Sequence, residues 1–152
     1  MTDLKLAKKK AEHYCSYQER SQQEVREKLY SFKLFKNQVE QIISELIQDN
    51  YINEERFAVQ FAGGKFRIKG WGRIKINAAL KQKRISDYCI KKALNTISES
   101  DYKNKLKVIL QKKIGTLTKS ENTNWQAAAI YCIGKGYESE IVWETVKELK
   151  DV

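Results

Sequence analysis

The sequence predicts an all-α fold, built as an elongated, curved array of three tandem three-helix repeats with about nine helices. Three observations support this prediction. The 152 residues include no proline and only seven glycines, so little in the chain interrupts a helix. Apolar residues recur at helical rather than strand spacing. The apolar pattern itself recurs about every fifty residues, which is typical of tandem-repeat proteins.

The repeat consists of six apolar or aromatic positions at offsets 0, 4, 9, 14, 18 and 21. Steps of three and four residues place side chains on one face of a helix, and each step of five spans a break between helices. The pattern starts at Val25, Ile76 and Ala128, so the repeats are 51 and 52 residues apart. The eighteen positions are Val25, Leu29, Leu34, Val39, Ile43, Leu46, Ile76, Leu80, Ile85, Ile90, Leu94, Ile97, Ala128, Cys132, Tyr137, Val142, Val146 and Leu149.

A further helix precedes each helix–turn–helix. Its apolar stripe is weak in the first repeat, where it starts at Leu6, and clear in the second and third repeats, where it starts at Phe57 and Leu106. The helices are expected near residues 4–18, 22–31, 38–49, 54–68, 73–82, 87–98, 101–114, 123–134 and 139–150. Residues 115–124 are expected to form an irregular loop. The predicted domains are the repeats themselves, 1–50, 51–99 and 100–152, joined with limited hinge motion.

Capping residues agree with these helix starts. The segments Ser21-x-x-Glu24 and Asn37-x-x-Glu40 are capping boxes or close variants. Asn53 and Ser86 are predicted N-caps of two later helices, because their side-chain oxygens can accept a hydrogen bond from a first-turn N–H.

The positive charge is concentrated in the middle repeat. The net charge is +10, and residues 56–86 carry nine basic side chains and no acidic one. A solvated helix face usually mixes charge signs, so we interpret this run as a surface for a polyanion or an acidic partner. Trp71 is a candidate for stacking on a base, with a place in the core as the alternative. The candidate binding residues are Lys65, Arg67, Lys69, Arg73, Lys75, Lys81, Lys83 and Arg84.

Signatures of catalysis, metal binding and membrane insertion are missing from the sequence. Cys15, Cys89 and Cys132 lie far apart, and His13 is the single histidine, so no metal-ligand spacing exists. No glycine-rich phosphate-binding motif is present. The longest apolar run, residues 127–133, is far shorter than a membrane span. We therefore expect a cytoplasmic, monomeric protein that is not an enzyme and uses no cofactor.

Three segments resemble the RecX family of regulatory proteins, in the family's order and at its spacing. Residues 20–29 (RSQQEVREKL) resemble its R-S-x-x-E-L-x-x-K-L segment. Residues 46–58 (LIQDNYINEERFA) resemble L-x-x-x-G-Y-L-(D/N)-(D/E)-x-R-F-A. Residues 69–72 (KGWG), with Ile76 and Leu80, are similar to K-G-(Y/W)-G-x-x-x-I-x-x-x-L. The resemblance covers residues 7–97 and reaches the last third only through the apolar repeat.

The chain departs from the family pattern at turns and caps. Arg73 stands where proline often follows the K-G-Y-G turn, and Lys33 and Arg84 stand where glycine is common. Asn53-Glu54 replaces the frequent Asp-Asp.

The resemblance implies a fold of tandem three-helix repeats and a regulator, usually an inhibitor, of the RecA recombinase. Such proteins bind the RecA–single-stranded-DNA filament and act in DNA repair, homologous recombination and the SOS response; some members also bind single- or double-stranded DNA. The alternative is a stand-alone helical DNA- or RNA-binding module that uses residues 73–80 as a recognition helix. A third interpretation is a helical scaffold for an acidic protein.

Overall fold

The computed structural model describes residues 3–151, which fold into nine helices without a strand. The all-helical class and the helical repeat are confirmed, and each helix matches its prediction to within a few residues. The helices are α1 (Leu4–Tyr17), α2 (Gln22–Tyr30), α3 (Lys36–Gln48), α4 (Glu54–Arg67), α5 (Arg73–Gln82), α6 (Asp87–Asn95), α7 (Glu99–Ile114), α8 (Glu121–Gly134) and α9 (Ser139–Lys150).

The described chain divides into two compact units. Unit 1 comprises the residues up to Phe61 together with Leu80–Lys92, and unit 2 comprises Ala62–Ala79 together with the residues from Ala93 onward. The middle repeat, α4 to α6, therefore contributes residues to both units. The boundaries at 1–50, 51–99 and 100–152 follow the sequence repeat and stay a prediction.

In unit 1, helices α1, α2 and α3 pack against one another around an aliphatic core. Val25, Leu29, Val39 and Leu46 are fully buried there, because the apolar stripes of α2 and α3 face each other. Two alanines of α1, Ala7 and Ala11, allow that helix to approach closely.

In unit 2, helices α7, α8 and α9 pack against one another around aromatic side chains. Tyr102 and Tyr137 are buried, with ring centres 5.0 Å apart, and Phe66 stacks on Tyr102 at 5.9 Å. Leu106, Leu110 and Val142 are fully buried in the same unit, so its interior combines aromatic rings with aliphatic side chains.

The apolar repeat is confirmed by burial. All eighteen predicted positions are buried except Leu94 and Leu149, which are half-buried. The offsets thus mark side chains that are buried, or half-buried, in the folded chain.

Three of the predicted caps are confirmed. Ser21 Oγ accepts a hydrogen bond from the Glu24 N–H at 3.1 Å, and Asn53 Oδ1 accepts one from the Arg56 N–H at 2.9 Å. Ser86 Oγ accepts from the Cys89 N–H at 3.3 Å. Each of these bonds satisfies a first-turn N–H that has no partner within its helix.

The predicted Asn37-x-x-Glu40 cap is wrong. Helix α3 begins at Lys36, and Gln38 Oε1 accepts a hydrogen bond from the Phe35 N–H at 2.9 Å. Glu40 instead forms an ion pair with Arg26 at 2.8 Å. A capping box has two hydrogen bonds, and Gln38 makes the one in which the third helical residue accepts from the N-cap N–H. The N-cap itself is Phe35, so this helix starts without a capping serine or asparagine.

Two later helices start earlier than predicted because serines cap them. Ser98 Oγ accepts from the Asp101 N–H at 3.1 Å, and Ser120 Oγ accepts from the Thr123 N–H at 3.4 Å. Helix α7 therefore begins at Glu99 and α8 at Glu121, which shortens the predicted 115–124 loop to residues 115–120.

The three repeats share a left-handed backbone position. Lys33, Arg84 and Gly136 each lie eight residues after the start of their repeat, with φ of 63°, 63° and 104°. Each follows the first helix of a helix–turn–helix, where a left-handed residue ends the helix. Only the third repeat has glycine, the residue that adopts this conformation without a steric cost.

Replacing Lys33 by glycine is expected to raise the free energy of unfolding by up to about 1 kcal/mol, because the left-handed strain disappears. Urea denaturation followed by helical circular dichroism measures this change. Glu27→Gly, at an exposed position within α2, is the matched control and should lower stability by about 1 kcal/mol. Equal losses in the two variants would contradict the prediction.

The three cysteines are buried and form no disulfide. Burial raises the pKa of the Cys15 and Cys132 thiols to about 11, so both are protonated at neutral pH. Residues 3–151 contain no cluster of three or more His, Cys, Asp or Glu side chains that could hold a metal ion. No helix in this part of the chain combines the length and the apolar character that crossing a membrane requires.

Candidate nucleic-acid interface

Residues 65–75 carry five basic side chains and include the turn that connects α4 to α5 at residues 68–72. We call this segment, which lies in unit 2, the basic turn. Helix α4 ends at Arg67, and Gly70, three residues further, is left-handed with φ of 70°. The Trp71 N–H donates back to the Lys65 carbonyl at 3.0 Å. Glycine is suited to this position because it has no Cβ to clash with the backbone. The turn therefore has a defined backbone conformation.

Backbone hydrogen bonds hold this turn against the turn between α8 and α9. The Gly72 N–H donates to the Lys135 carbonyl, and the Ile74 N–H donates to the Gly136 carbonyl, both at 2.9 Å. A Cβ atom at Gly72 would lie 2.4 Å from the carbonyl carbon and oxygen of Gly136. The second glycine of the KGWG segment is thus required by the close approach of two backbones.

Arg73 has an internal role in unit 2. Its guanidinium donates to Glu138 Oε2 at 3.0 Å and to Glu99 Oε1 at 2.7 Å. It also lies 3.8 Å from the centre of the Tyr102 ring. Desolvation disfavours its charged form, but the bonds to the two carboxylates outweigh this and keep the pKa of Arg73 above its ordinary value.

Tyr102 links this ion pair to the backbone of the basic turn. Its hydroxyl accepts a hydrogen bond from the Arg73 N–H at 3.0 Å and donates one to Glu138. Burial, together with the bond to Glu138, raises the pKa of the Tyr102 hydroxyl well above its usual range. The charge of Arg73 is therefore balanced inside unit 2, and the residue fixes the start of α5.

Trp71 is half-buried, and two ammonium groups lie near its ring. Lys65 Nζ is 4.9 Å and Lys75 Nζ is 4.6 Å from the ring. Cations over an indole ring form attractive cation–π contacts, and they place positive charge beside a flat aromatic surface. Binding sites for single-stranded nucleic acid commonly combine positive charge with an aromatic ring, but stacking by Trp71 stays a prediction.

The other candidate residues fall into two groups. Arg67 and Lys69 are exposed in unit 2. Lys81, Lys83 and Arg84 belong to unit 1, where Lys81 and Arg84 are exposed and Lys83 pairs with Glu24 at 3.3 Å. Lys65, Arg67, Lys69, Arg73 and Lys75 thus all belong to unit 2, where Lys65 and Lys75 share the ring of Trp71. That all eight residues form one binding surface stays a prediction.

A second acid-free stretch was not singled out in the sequence. Residues 102–120 contain six lysines and no acidic residue, but acidic residues on either side make the last third of the chain nearly neutral. Lys105, Lys112 and Lys113 from this stretch lie on unit 2 near Lys69 and Lys135. Averaging charge over a whole repeat concealed this signal, which a shorter window would have found.

These features define an all-helical repeat protein with a basic, backbone-anchored turn. Two family models match the chain: "RecX, first three-helix domain" over residues 7–46 and "RecX, second three-helix domain" over residues 53–94. Together they cover more than half of the 152 residues. The chain belongs to the RecX family.

Individual relatives agree with this assignment. The chain is 28% identical over 138 residues to a regulatory protein RecX of Halalkalibacterium halodurans, covering 90% of this chain and 52% of the relative. It is 26% identical over 132 residues to a regulatory protein RecX of Clostridium botulinum, covering 85% of this chain and 61% of the relative. The chain thus spans about half to three-fifths of the length of these curated relatives.

Solved structures show the same fold. The crystal structure of RecX from Lactobacillus salivarius superposes with a TM-score of 0.89 at 23% identity, covering 98% of this chain and 97% of that one. A second RecX crystal structure gives a TM-score of 0.86 at 23% identity, covering 95% and 71%. The likeness extends to the last third of the chain, which the family models leave unmatched.

Proposed function

We propose that this protein binds the RecA–single-stranded-DNA filament and inhibits RecA recombinase and its ATP hydrolysis. Membership in a family whose curated members are named regulatory proteins supports a regulatory role. The observation that carries the proposal is the basic turn, where Lys69 is exposed and the exposed Lys75 has its Nζ 4.6 Å from the centre of the Trp71 ring. This function places the protein in the cytoplasm as a monomer, acting in DNA repair, recombination and the SOS response.

The basic turn suits a nucleoprotein partner for an electrostatic reason. A filament presents DNA phosphates and acidic side chains, and exposed lysines such as Lys69 and Lys75 attract both. Inhibition requires that the protein bind one state of the filament more tightly than another, because a ligand shifts an equilibrium only through differential affinity. A rigidly anchored turn favours such discrimination, since little ordering is needed upon binding.

Titrating the protein into preformed filaments and measuring ATP hydrolysis tests the proposal. We expect inhibition by the wild type well below the concentration of RecA. Lys69→Glu/Lys75→Glu should abolish it, mainly by slowing association. This pair avoids Arg73, whose reversal would place a third carboxylate beside Glu99 and Glu138 and disrupt unit 2.

The matched control is Lys5→Glu/Lys9→Glu, which makes the same change in net charge at two exposed residues of α1. It should leave inhibition unchanged. Full inhibition by a folded Lys69→Glu/Lys75→Glu protein would contradict the assignment of the basic turn. Lack of inhibition by the wild type would contradict the proposed function.

The same titration separates the alternative function, a stand-alone DNA- or RNA-binding module. The lysines around Trp71 are the observation that favours it. A module of this kind would suppress ATP hydrolysis only at concentrations that cover the DNA. Its effect would also disappear when excess bare single-stranded DNA is added, whereas a filament-specific inhibitor keeps its target.

A further inference from the structure

The lysines of α7 divide between two sides of the helix. On one side, the ammonium groups of Lys103 and Lys107 pair with Glu148 of α9, at 2.6 and 3.9 Å. On the other side lie Lys105, Lys112 and Lys113, none of which is ion-paired with a carboxylate of residues 3–151. Charge on α7 is thus balanced on one side and left unbalanced on the other.

The unbalanced side faces a cavity of about 390 Å³ within unit 2. No aspartate or glutamate of the described chain lines this cavity, which we name the lysine groove. Its five cationic side chains are Lys69, Lys105, Lys112, Lys113 and Lys135.

Two of these lysines are positioned by main-chain carbonyl groups, which leave their charge in place. Lys105 Nζ donates to the Arg67 carbonyl and Lys135 Nζ donates to the Lys69 carbonyl, both at 3.0 Å. Five like charges in one concave surface repel one another and focus a positive potential there. An anion in the lysine groove would relieve this repulsion.

Apolar side chains are interspersed with the cations of the lysine groove. Val108, which is 58% exposed, lies between Lys105 and Lys112 on the face of α7. Ile68 is 81% exposed, and the 42% exposed ring of Tyr131 has Lys113 Nζ 4.5 Å from its centre. A ligand for this surface must therefore offer negative charge and apolar surface at short intervals.

We propose that the lysine groove binds single-stranded nucleic acid, with phosphates at the ammonium groups and a base stacked on Tyr131. Each nucleotide of a single strand brings a phosphate and a flat aromatic ring close together, as this surface requires. A duplex hides its base faces, and an amphipathic acidic helix separates its carboxylates and its apolar side chains onto opposite faces. The proposal deepens the alternative function given above, and rests on it, by assigning the site for the strand: Lys105, Lys112, Lys113 and Tyr131 all lie outside the basic turn.

Fluorescence anisotropy of a labelled oligothymidylate, measured without RecA over a range of salt concentrations, tests the lysine groove. Lys112→Gln/Lys113→Gln should weaken binding and reduce the slope of log K against log salt by about 1.4, since each phosphate contact on a single strand contributes about 0.7. Lys103→Gln/Lys107→Gln, on the opposite side of the same helix, should leave the slope unchanged. Thermal melting should show that both variants stay folded.

Substitutions of Tyr131 test the stacked base. Tyr131→Ala should weaken binding about five- to a hundredfold without changing the salt slope, and Tyr131→Phe should restore the affinity because it keeps the ring. Wild-type affinity in Tyr131→Ala would overturn the assignment of the base. An equal loss in the two lysine pairs would overturn the lysine groove as the site.

Competition experiments identify the occupant. A duplex of the same length, or polyglutamate at equal charge concentration, should displace the oligothymidylate less well than unlabelled single strand. If either competes as well as the single strand, the proposal is overturned in favour of that ligand. Because RecA is absent, a failure here is distinguishable from a failure of filament inhibition.

Discussion

Replacing Gly72 by alanine is expected to destabilise unit 2 by about 3 kcal/mol or more. The new Cβ would lie 2.4 Å from the carbonyl carbon and oxygen of Gly136 and 2.4 Å from the Tyr137 nitrogen. These are backbone atoms, so no side chain can rotate to make room, and the two turns must separate. Separation would break the hydrogen bonds from Gly72 to Lys135 and from Ile74 to Gly136. Chemical denaturation followed by helical circular dichroism measures the loss.

Gly64→Ala is the matched control for this prediction. Gly64 lies within α4, and outside its chain neighbours and the backbone of its own helix no atom of the described residues lies within 4 Å of a Cβ added there. Alanine favours the helix over glycine by about 1 kcal/mol, so this variant should gain stability. The same substitution is therefore expected to act with opposite sign eight residues apart. A loss below about 1 kcal/mol in Gly72→Ala would contradict the close approach of the two turns.

Helices and core were predictable from the sequence because their signals are local. The offsets that begin at Val25, Ile76 and Ala128 mark side chains that must be buried for a three-helix repeat to fold, and burial follows them closely. Helix starts were predictable where Ser21 or Asn53 precedes a helix. The start of α3 was less predictable, because its N-cap Phe35 has no capping side chain and the hydrogen bond at this end is made by Gln38 Oε1 with the Phe35 N–H.

The candidate site was only partly predictable because its arrangement depends on contacts distant in sequence. Local charge identified Lys69 and Lys75, which are exposed. Nothing near Arg73 in the sequence indicates that its partner is Glu138, 65 residues away. Likewise, Lys105 and Lys135 come close to the basic turn only through the packing of unit 2. The charge pattern of the sequence therefore identifies the basic region. Which of its side chains are exposed and which are engaged inside the protein depends on the fold.

Removing the Arg73 side chain is expected to lower the stability of unit 2 by about 2–4 kcal/mol. Arg73→Ala leaves Glu138 beside Tyr102 without its cation, and a partly buried carboxylate that loses its partner is costly. The contact between the guanidinium and the Tyr102 ring is lost as well. Urea denaturation of the variant, followed by circular dichroism, gives the change in unfolding free energy.

Two further substitutions show where this energy resides. Glu99 is 84% exposed, so Glu99→Ala should change stability by no more than about 0.5 kcal/mol even though the Glu99–Arg73 distance is the shorter one. Tyr102→Phe should cost about 2 kcal/mol, because the Arg73 N–H loses its acceptor and Glu138 loses a donor. Comparable losses in Glu99→Ala and Arg73→Ala would mean that the exposed pair, rather than the buried contacts, stabilises the turn.

A functional measurement separates positioning by Arg73 from direct contact. At a temperature where Arg73→Ala is folded, we expect it to inhibit filament ATP hydrolysis nearly as well as the wild type, because the Arg73 charge is balanced by Glu99 and Glu138. Lys75→Ala, two residues further along α5, leaves this ion-pair network intact and removes an exposed cation, so it should weaken inhibition with little change in stability. The reverse pattern, with inhibition lost in folded Arg73→Ala and kept in Lys75→Ala, would show that Arg73 leaves its internal carboxylates to bind the filament.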